Sequence, residues 1–310
     1  MNSVERQRSI IRTSWISVIG NALLSVLKII AGIISGSLAV LADGIDSASD
    51  VIASLITLFT ARILGRKPNI RYPYGYEKAD TIATTVLSFV IFFAGAQLAI
   101  SAIERVFSGE QRELPGVIAI YVTVISIIVK IILARIQLRV GKKVESSMLQ
   151  ANGRNMQNDV VISVSVLLGL FFTYVLELPI IDSITALLVG IYILYIAVRI
   201  FLATNLELMD GVDDPGIYKK VFRAVSKVKG VHRPHNVKIR KQGYRYLIAV
   251  DIEVESGMSV KEAHGLAHKV DDELRQEIEN IYDILVHIEP YGGDIPDKRY
   301  GVSQEDIDEE

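Results

Sequence analysis

Apolar residues run along this chain in six long stretches, at roughly 13–34, 38–62, 81–106, 115–137, 147–176 and 181–204. Each is near the length of about 20 residues that an α-helix needs to cross a hydrocarbon layer about 30 Å thick. The fifth is the most interrupted, with Gln150, Asn152, Arg154, Asn155 and Asn158 near its start. After Asn205 the periods shorten. Asp213 to Lys229 has helical spacing, with Pro215 suited to its first turn. Two β-rich runs, 235–241 and 245–255, follow as a hairpin through Gln242-Gly243. Ser259 and Glu262 form a capping box that opens a helix, and Ile284 to Glu289 reads as a last strand. The pattern predicts an α-helical membrane protein with six transmembrane helices and a C-terminal α+β domain of order α-β-β-α-β.

Composition and charge add orientation. Of 310 residues 50% are hydrophobic, with a mean hydropathy of +0.36, which suits a chain embedded in a lipid bilayer. The connections alternate in charge. Arg6, Arg8 and Arg12, then Arg66, Lys67, Arg71 and Lys78, then Arg139, Lys142 and Lys143 lie on one side, while Ser35-Gly36-Ser37, Glu110 to Glu113 and Glu177-Leu178-Pro179 lie on the other. By the positive-inside rule both termini face the cytoplasm, in a multi-pass protein of the cell membrane. The predicted divisions are a cytoplasmic N-terminus at 1–12, a membrane domain at 13–206, a cytoplasmic domain at 207–292 and an acidic, disordered tail at 293–310. A formal net charge of −2 gives no reason to expect a nucleic-acid partner. The absence of cysteine removes disulfides, thiolate ligands and cysteine nucleophiles. The first apolar stretch is too long for a cleavable signal peptide.

Against this apolar background stand two pairs of oxygen-bearing residues at helical i,i+4 spacing: Asp46 with Asp50, and Asn155 with Asp159. Ionisable groups inside a membrane are costly and mark ion paths by default. At 1.5 Å per residue, the first pair lies about 14–20 Å along a span entered from outside, and the second about 18–24 Å along one entered from the cytoplasm. Both pairs therefore come near the midplane, where transporters commonly hold their cargo. Three carboxylates and a carboxamide are hard donors, suited to Mg²⁺, Mn²⁺ and Ca²⁺ and to a degree Fe²⁺. A small site completed by water favours Mn²⁺ over Ca²⁺, and protons compete with metal for the carboxylates. Asp43, one turn before Asp46, reads either as an outer relay or as a helix N-terminal acid near the interface. Interhelical hydrogen bonding alone is a weaker account of the quartet, because it requires no three carboxylates.

The histidines concentrate in the cytoplasmic domain: His232, His235, His264, His268 and His287, with Asp251 and Glu289 on neighbouring strands. His264 and His268 share a helix face at i,i+4. This inventory makes a second, regulatory or dimer-stabilising metal site a candidate.

The segment Leu41-Ala-Asp43-Gly-Ile-Asp46-Ser-Ala-Ser-Asp50 and the segment Ala151-Asn-Gly-Arg-Asn155-Met-Gln-Asn-Asp159 resemble the second- and fifth-span signatures of the cation diffusion facilitator family. Tyr72 to Asp80, Leu208-Met-Asp210 and the C-terminal domain extend the resemblance over nearly the whole chain. It implies a homodimeric divalent metal/proton antiporter working by alternating access, with Asp46, Asp50, Asn155 and Asp159 as the transport site. It also implies that His235, Asp251, His287 and Glu289 lie where relatives hold metal between two cytoplasmic domains, and that Lys78 pairs with Asp210 as a dimer interlock. Asn155 occupies a position where zinc-transporting relatives usually have histidine, which is similar to the manganese-exporting branch. Tyr72 and Tyr76 replace histidines of an accessory zinc site, so that site is expected to be missing. The cytoplasmic fold resembles metallochaperones without their cysteine motif.

Mn²⁺ is thus the expected cargo, with Zn²⁺ or Fe²⁺ as alternatives, divalent metal also a candidate regulator, and no prosthetic group or enzyme activity. A membrane-bound metal sensor or scaffold without transport is the competing reading. An intramembrane aspartyl hydrolase is disfavoured by the i,i+4 pairing and the lack of a nucleophile arrangement.

Overall fold

The computed structural model describes residues 3–64, 68–76, 78–108, 113–143, 147–242, 245–292 and 301–308. The chain divides into two compact units, Met1–Arg62 with Ala83–Phe201, and Ile63–Ile82 with Leu202–Glu310.

The first unit is built from helices α1 (Ser3–Ser35), α2 (Leu38–Leu64), α3 (Lys78–Phe107), α4 (Ile118–Lys143), α5 (Ser147–Val175) and α6 (Ile180–Leu208). The end of α2, the start of α3 and the end of α6 belong to the second unit. Among the described residues, five of these helices are long and apolar enough to cross a membrane, and α2, which carries Asp43, Asp46 and Asp50, is not one of the five. The polar residues at the start of the fifth stretch do not interrupt its helix. α5 begins at Ser147, and Asn152 and Asn155 face a cavity.

Small residues let α1 and α2 approach closely. α1 ends at a turn where Gly36 takes φ +71°, a conformation that glycine adopts without steric penalty. A Cβ on Gly32 would lie 2.7 Å from the backbone nitrogen of Leu41, and one on Gly44 would lie 2.9 Å from that of Ile29. These glycines set the crossing distance, as small residues do between membrane helices. The apolar core is continued by Leu38, Val40, Leu87, Val166, Leu170 and Ile193.

The second unit follows the expected α-β-β-α-β order: α7 (Gly216–Ser226), β1 (His232–Gln242), β2 (Arg245–Val254), α8 (Val260–Glu277) and β3 (Ile281–Pro290). The sheet order is β1-β2-β3, with β1 antiparallel and β3 parallel to β2, so α8 serves as the crossover. Val221 and Phe222 of α7 and Val270 and Leu274 of α8 pack on Ile248, Val250 and Ile252 of β2. The face of central β2 turned towards these helices is therefore apolar. The capping box is formed: Ser259 Oγ accepts from the Glu262 amide at 3.3 Å, and Glu262 accepts from the Ser259 amide at 3.0 Å. Hydrogen bonds from the Ser259 side chain and backbone hold the Glu262 carboxyl below its ordinary value. The cap is thus complete above that ordinary value and is lost as pH falls through the lowered one.

The hairpin turn expected at Gln242-Gly243 falls partly outside the described residues, as do Arg66, Lys67, Glu110 and residues 293–300 of the tail. Residues 301–308 depart from the expected disorder. Val302 exchanges backbone hydrogen bonds with Val237 at 2.9 Å, and a short helix α9 (Gln304–Asp308) places Ile307 on the core. Two apolar side chains are enough to anchor this otherwise acidic stretch.

Gly32→Val should cost about 1–3 kcal/mol, because the added branch meets backbone that cannot yield. The expected result is a lower thermal midpoint of the purified protein in detergent, with an intact helical circular-dichroism signal before melting.

Candidate metal centres

Two groups of metal-ligating side chains assemble among the described residues, one in each unit. In the first, Asp46 and Asp50 of α2 and Asp159 of α5 each present a carboxylate oxygen within 4.8 Å of the others. The i,i+4 spacing stacks the first two on one face of α2, and the approach of α5 adds the third. Asp46 and Asp159 are 9% and 6% exposed, and Asp46 Oδ2 has no hydrogen-bond partner among the described residues. Three carboxylates this close in an apolar bundle repel one another unless a cation or a proton sits among them.

A cavity of about 430 Å³ reaches Asp50 and Asp159. It is lined by Ser14, Trp15 and Asn21 of α1, Ser54 of α2, Gln137 of α4, and Asn152 and Asn155 of α5. Asn155 thus lies on the cavity wall one turn before Asp159. All four helices contribute the ends that share a side with the N-terminus, so the cavity approaches the carboxylates from that side.

Two buried cations accompany the carboxylates, and the sequence reading missed both. Lys28 of α1 and Asp43 of α2 form an ion pair at 2.7 Å with both side chains fully buried. Lys28 Nζ also donates to Ser163 Oγ at 3.0 Å and Ser47 Oγ at 3.3 Å, and Ser163 Oγ donates to Asp43 Oδ1 at 2.9 Å. Asp43 is therefore held between α1 and α5. Lys130 of α4 lies 3.2 Å from Asp159 Oδ2, again with its side chain wholly buried. A lysine inside each of two apolar stretches was the available signal, by the same rule that singled out the aspartates. Asp182 fixes the start of α2 by accepting from Ser37 Oγ at 2.5 Å and from the Leu38 amide at 2.8 Å. Its carboxylate meets the otherwise unpaired amides of a helix N-terminus.

In the second unit His235, Asp251 and Glu289, one from each strand, converge within 4.8 Å. β1 loses register on both sides of His235, and Arg233 and Asn236 take φ of +41° and +52°. Bulges of this kind re-aim side chains. His235 Nδ1 lies 2.8 Å from the Arg233 carbonyl, which can only accept, so Nδ1 carries the proton. That leaves Nε2, 3.2 Å from Glu289, with a lone pair that could take a metal. Asn236 donates to Asp251 Oδ2 at 2.8 Å and steadies it. His287 reaches Glu289 at 3.5 Å from an exposed position. His264 and His268 do not join this group; their Nε2 atoms meet each other at 3.1 Å on exposed α8.

Lys78 and Asp210 pair at 2.6 Å within the second unit, and Arg240 stands 3.8 Å from the same carboxylate. Together with Arg240 over the Tyr74 ring at 5.6 Å, this contact ties residues 63–82 to the C-terminal unit. Both partners of the ion pair are partly exposed, so solvent limits its worth to under about 1 kcal/mol.

A bundle of membrane-length helices around a carboxylate cluster, joined to an α/β domain, defines a multi-pass membrane protein built to handle metal ions. Residues 14–209 match the cation efflux transmembrane domain, and residues 214–291 match the cytoplasmic domain of cation efflux proteins. The chain belongs to the cation efflux family, whose members are divalent cation transporters rather than enzymes. It is 32% identical to the manganese efflux system protein MneS of Bacillus subtilis over 89% of this chain and 93% of that protein. It is 25% identical to MneP of the same organism over 93% of this chain and 98% of that one. Among solved structures, the metal-bound C-terminal domain of the CzcD transporter from Thermotoga maritima is 39% identical with a TM-score of 0.25, covering 26% of this chain and 93% of that one.

Removing one partner of the Lys28–Asp43 pair should be far costlier than removing both. Lys28→Met leaves Asp43 buried without its counter-charge and should destabilise by about 3–5 kcal/mol. Lys28→Met with Asp43→Leu should recover most of that loss, as read by thermal unfolding of the two variants side by side.

Proposed function

We propose that this protein exports divalent metal, with Mn²⁺ as its principal cargo, from the cytoplasm in exchange for protons. Asp46, Asp50, Asn155 and Asp159 bind the ion, and the protein works by alternating access as a homodimer. Three carboxylates drawn together from α2 and α5 beside a cavity carry this reading. α2 acts as the sixth span, its aspartates tolerated because they face the bundle interior. The positive connections put both termini in the cytoplasm, so the cavity faces the cytoplasmic side and the conformation is inward-facing.

The donor chemistry supports manganese. Oxygen ligands without imidazole or thiolate suit Mn²⁺, and Asn155 supplies a neutral oxygen where a histidine would favour Zn²⁺. The manganese efflux function of MneS and MneP points the same way. Zn²⁺ and Fe²⁺ remain competing cargoes, because ligand type biases selectivity without fixing it. Metal and protons compete for the same carboxylates, which allows an inward proton gradient to drive release outside.

His235, Asp251 and Glu289, with His287 at their margin, form a regulatory metal site of the cytoplasmic domain. That cluster also motivates a second reading, a membrane-bound metal sensor without transport. Flux separates the two.

In proteoliposomes with an imposed pH gradient, the wild type should accumulate Mn²⁺, and Asp50→Ala and Asp159→Ala should each reduce that flux at least a hundredfold, since a shared ligand set acts as a unit. Retained flux in both variants would sink the transport site, and zero flux in the wild type would favour the sensor. In the same assay, Asn155→His should raise Zn²⁺ flux relative to Mn²⁺; an unchanged ratio removes Asn155 as the selectivity filter.

A further inference from the structure

The two buried lysines of the bundle are held differently. Lys28 has three oxygen partners within 3.3 Å and is fully engaged. Lys130, equally buried, has only the ion pair to Asp159 Oδ2 at 3.2 Å, and neither atom has a hydrogen-bond partner among the described residues. A buried ammonium ordinarily satisfies its three donors, so this one is loosely held against a group with another use. Asp159 belongs to the carboxylate cluster and, with Asp50, lines the cavity.

A divalent ion binds carboxylate oxygen at about 2.0–2.6 Å, closer than Lys130 stands. Metal and ammonium on the same carboxylate would repel strongly in a low-dielectric site, so the ion must displace Lys130 from Asp159. Formal charge fits such an exchange. Asp43 and Lys28 cancel each other, which leaves three carboxylates and one ammonium, a net −2 matched by one divalent ion. α4 extends the polar stripe through buried Thr123, Ser126 and Gln137, so the helix carries Lys130 on a face already turned inward.

We propose that Lys130 is a tethered counter-cation of the metal site: it pairs with Asp159 in the empty site, yields that carboxylate to the entering ion, and re-forms the pair to help release it. This rests on the transport site proposed above. Lys130 is a positioning residue that holds affinity low enough for turnover, and it accounts for three carboxylates serving a doubly charged cargo.

The test is Mn²⁺ binding by the purified full-length protein in nanodiscs, paired with Mn²⁺ flux in proteoliposomes. Lys130→Met should lower the Mn²⁺ Kd by about tenfold or more, because a like charge beside the ion is gone. Its half-saturating Mn²⁺ concentration and its maximal flux should both fall, the signature of tight binding with slow release. Lys130→Arg, which keeps the charge, should restore both parameters to near the wild-type values. Lys130→Gln, read by the same isotherm, guards against a packing effect particular to methionine. A Kd unchanged within about twofold, or weakened, in folded Lys130→Met and Lys130→Gln overturns the proposal. So does failure of both neutral variants to fold, which would make Lys130 a structural charge. Absence of wild-type flux overturns the transport reading alone, since the counter-cation is judged on the binding isotherms.

Discussion

Charge cannot stand alone inside an apolar bundle, and the interior of this membrane domain is arranged around that constraint. The lysine-paired aspartates sit on α2 and α5, and each lysine that answers them comes from a different helix, Lys28 from α1 and Lys130 from α4. Helix packing is thereby constrained at specific points, because a rotation of α4 that removed Lys130 from Asp159 would strand both charges. Apolar contacts between membrane helices lack this directionality, since lipid solvates them as well as protein does. Small residues at the α1–α2 crossing supply the close approach that lets Lys28 reach Asp43 and Ser163.

The same logic divides the polar interior into two parts. The Lys28–Asp43–Ser163 group is formally neutral, knit by hydrogen bonds and outside the cavity lining, which makes it a fastening. The Asp46–Asp50–Asp159 group is under-compensated and reached by the cavity, which makes it reactive towards cations. Neighbouring carboxylates one helical turn apart on α2 thus differ in role through their partners. Chemical identity alone would not separate Asp43 from Asp46.

In the cytoplasmic domain, ordinary sheet geometry would not deliver a metal site. The alternation of side chains sends successive residues to opposite faces, and a regular β1 would carry His235 in simple register with β2. The irregularities flanking His235 break that register and let one residue from each strand converge. A backbone carbonyl then fixes the imidazole tautomer, leaving Nε2 towards the carboxylates. His264 and His268, equally plausible as ligands by spacing, sit on the exposed side of α8 and pair with each other.

Much of this was legible in the chain. The apolar stretches and the α-β-β-α-β order follow from periodicity, because burial of one helix or strand face leaves its period in the sequence. The Ser259–Glu262 cap was readable because its hydrogen bonds span only three residues. The i,i+4 carboxylate pairs were equally visible, since neighbours on one helix are fixed by the helix itself. The anchoring of Val302 and Ile307 was not, because an isolated apolar residue in an acidic stretch carries no period.

The sequence by itself determined which residues share a helix face, which segments are apolar and which charges lie among them. Only the tertiary structure decided that Lys28 answers Asp43, that Lys130 meets Asp159, and that His235 rather than His264 joins Asp251 and Glu289. Those pairings join residues from different helices and strands, 15 to 54 positions apart, and no local periodicity encodes which face of one element meets which face of another.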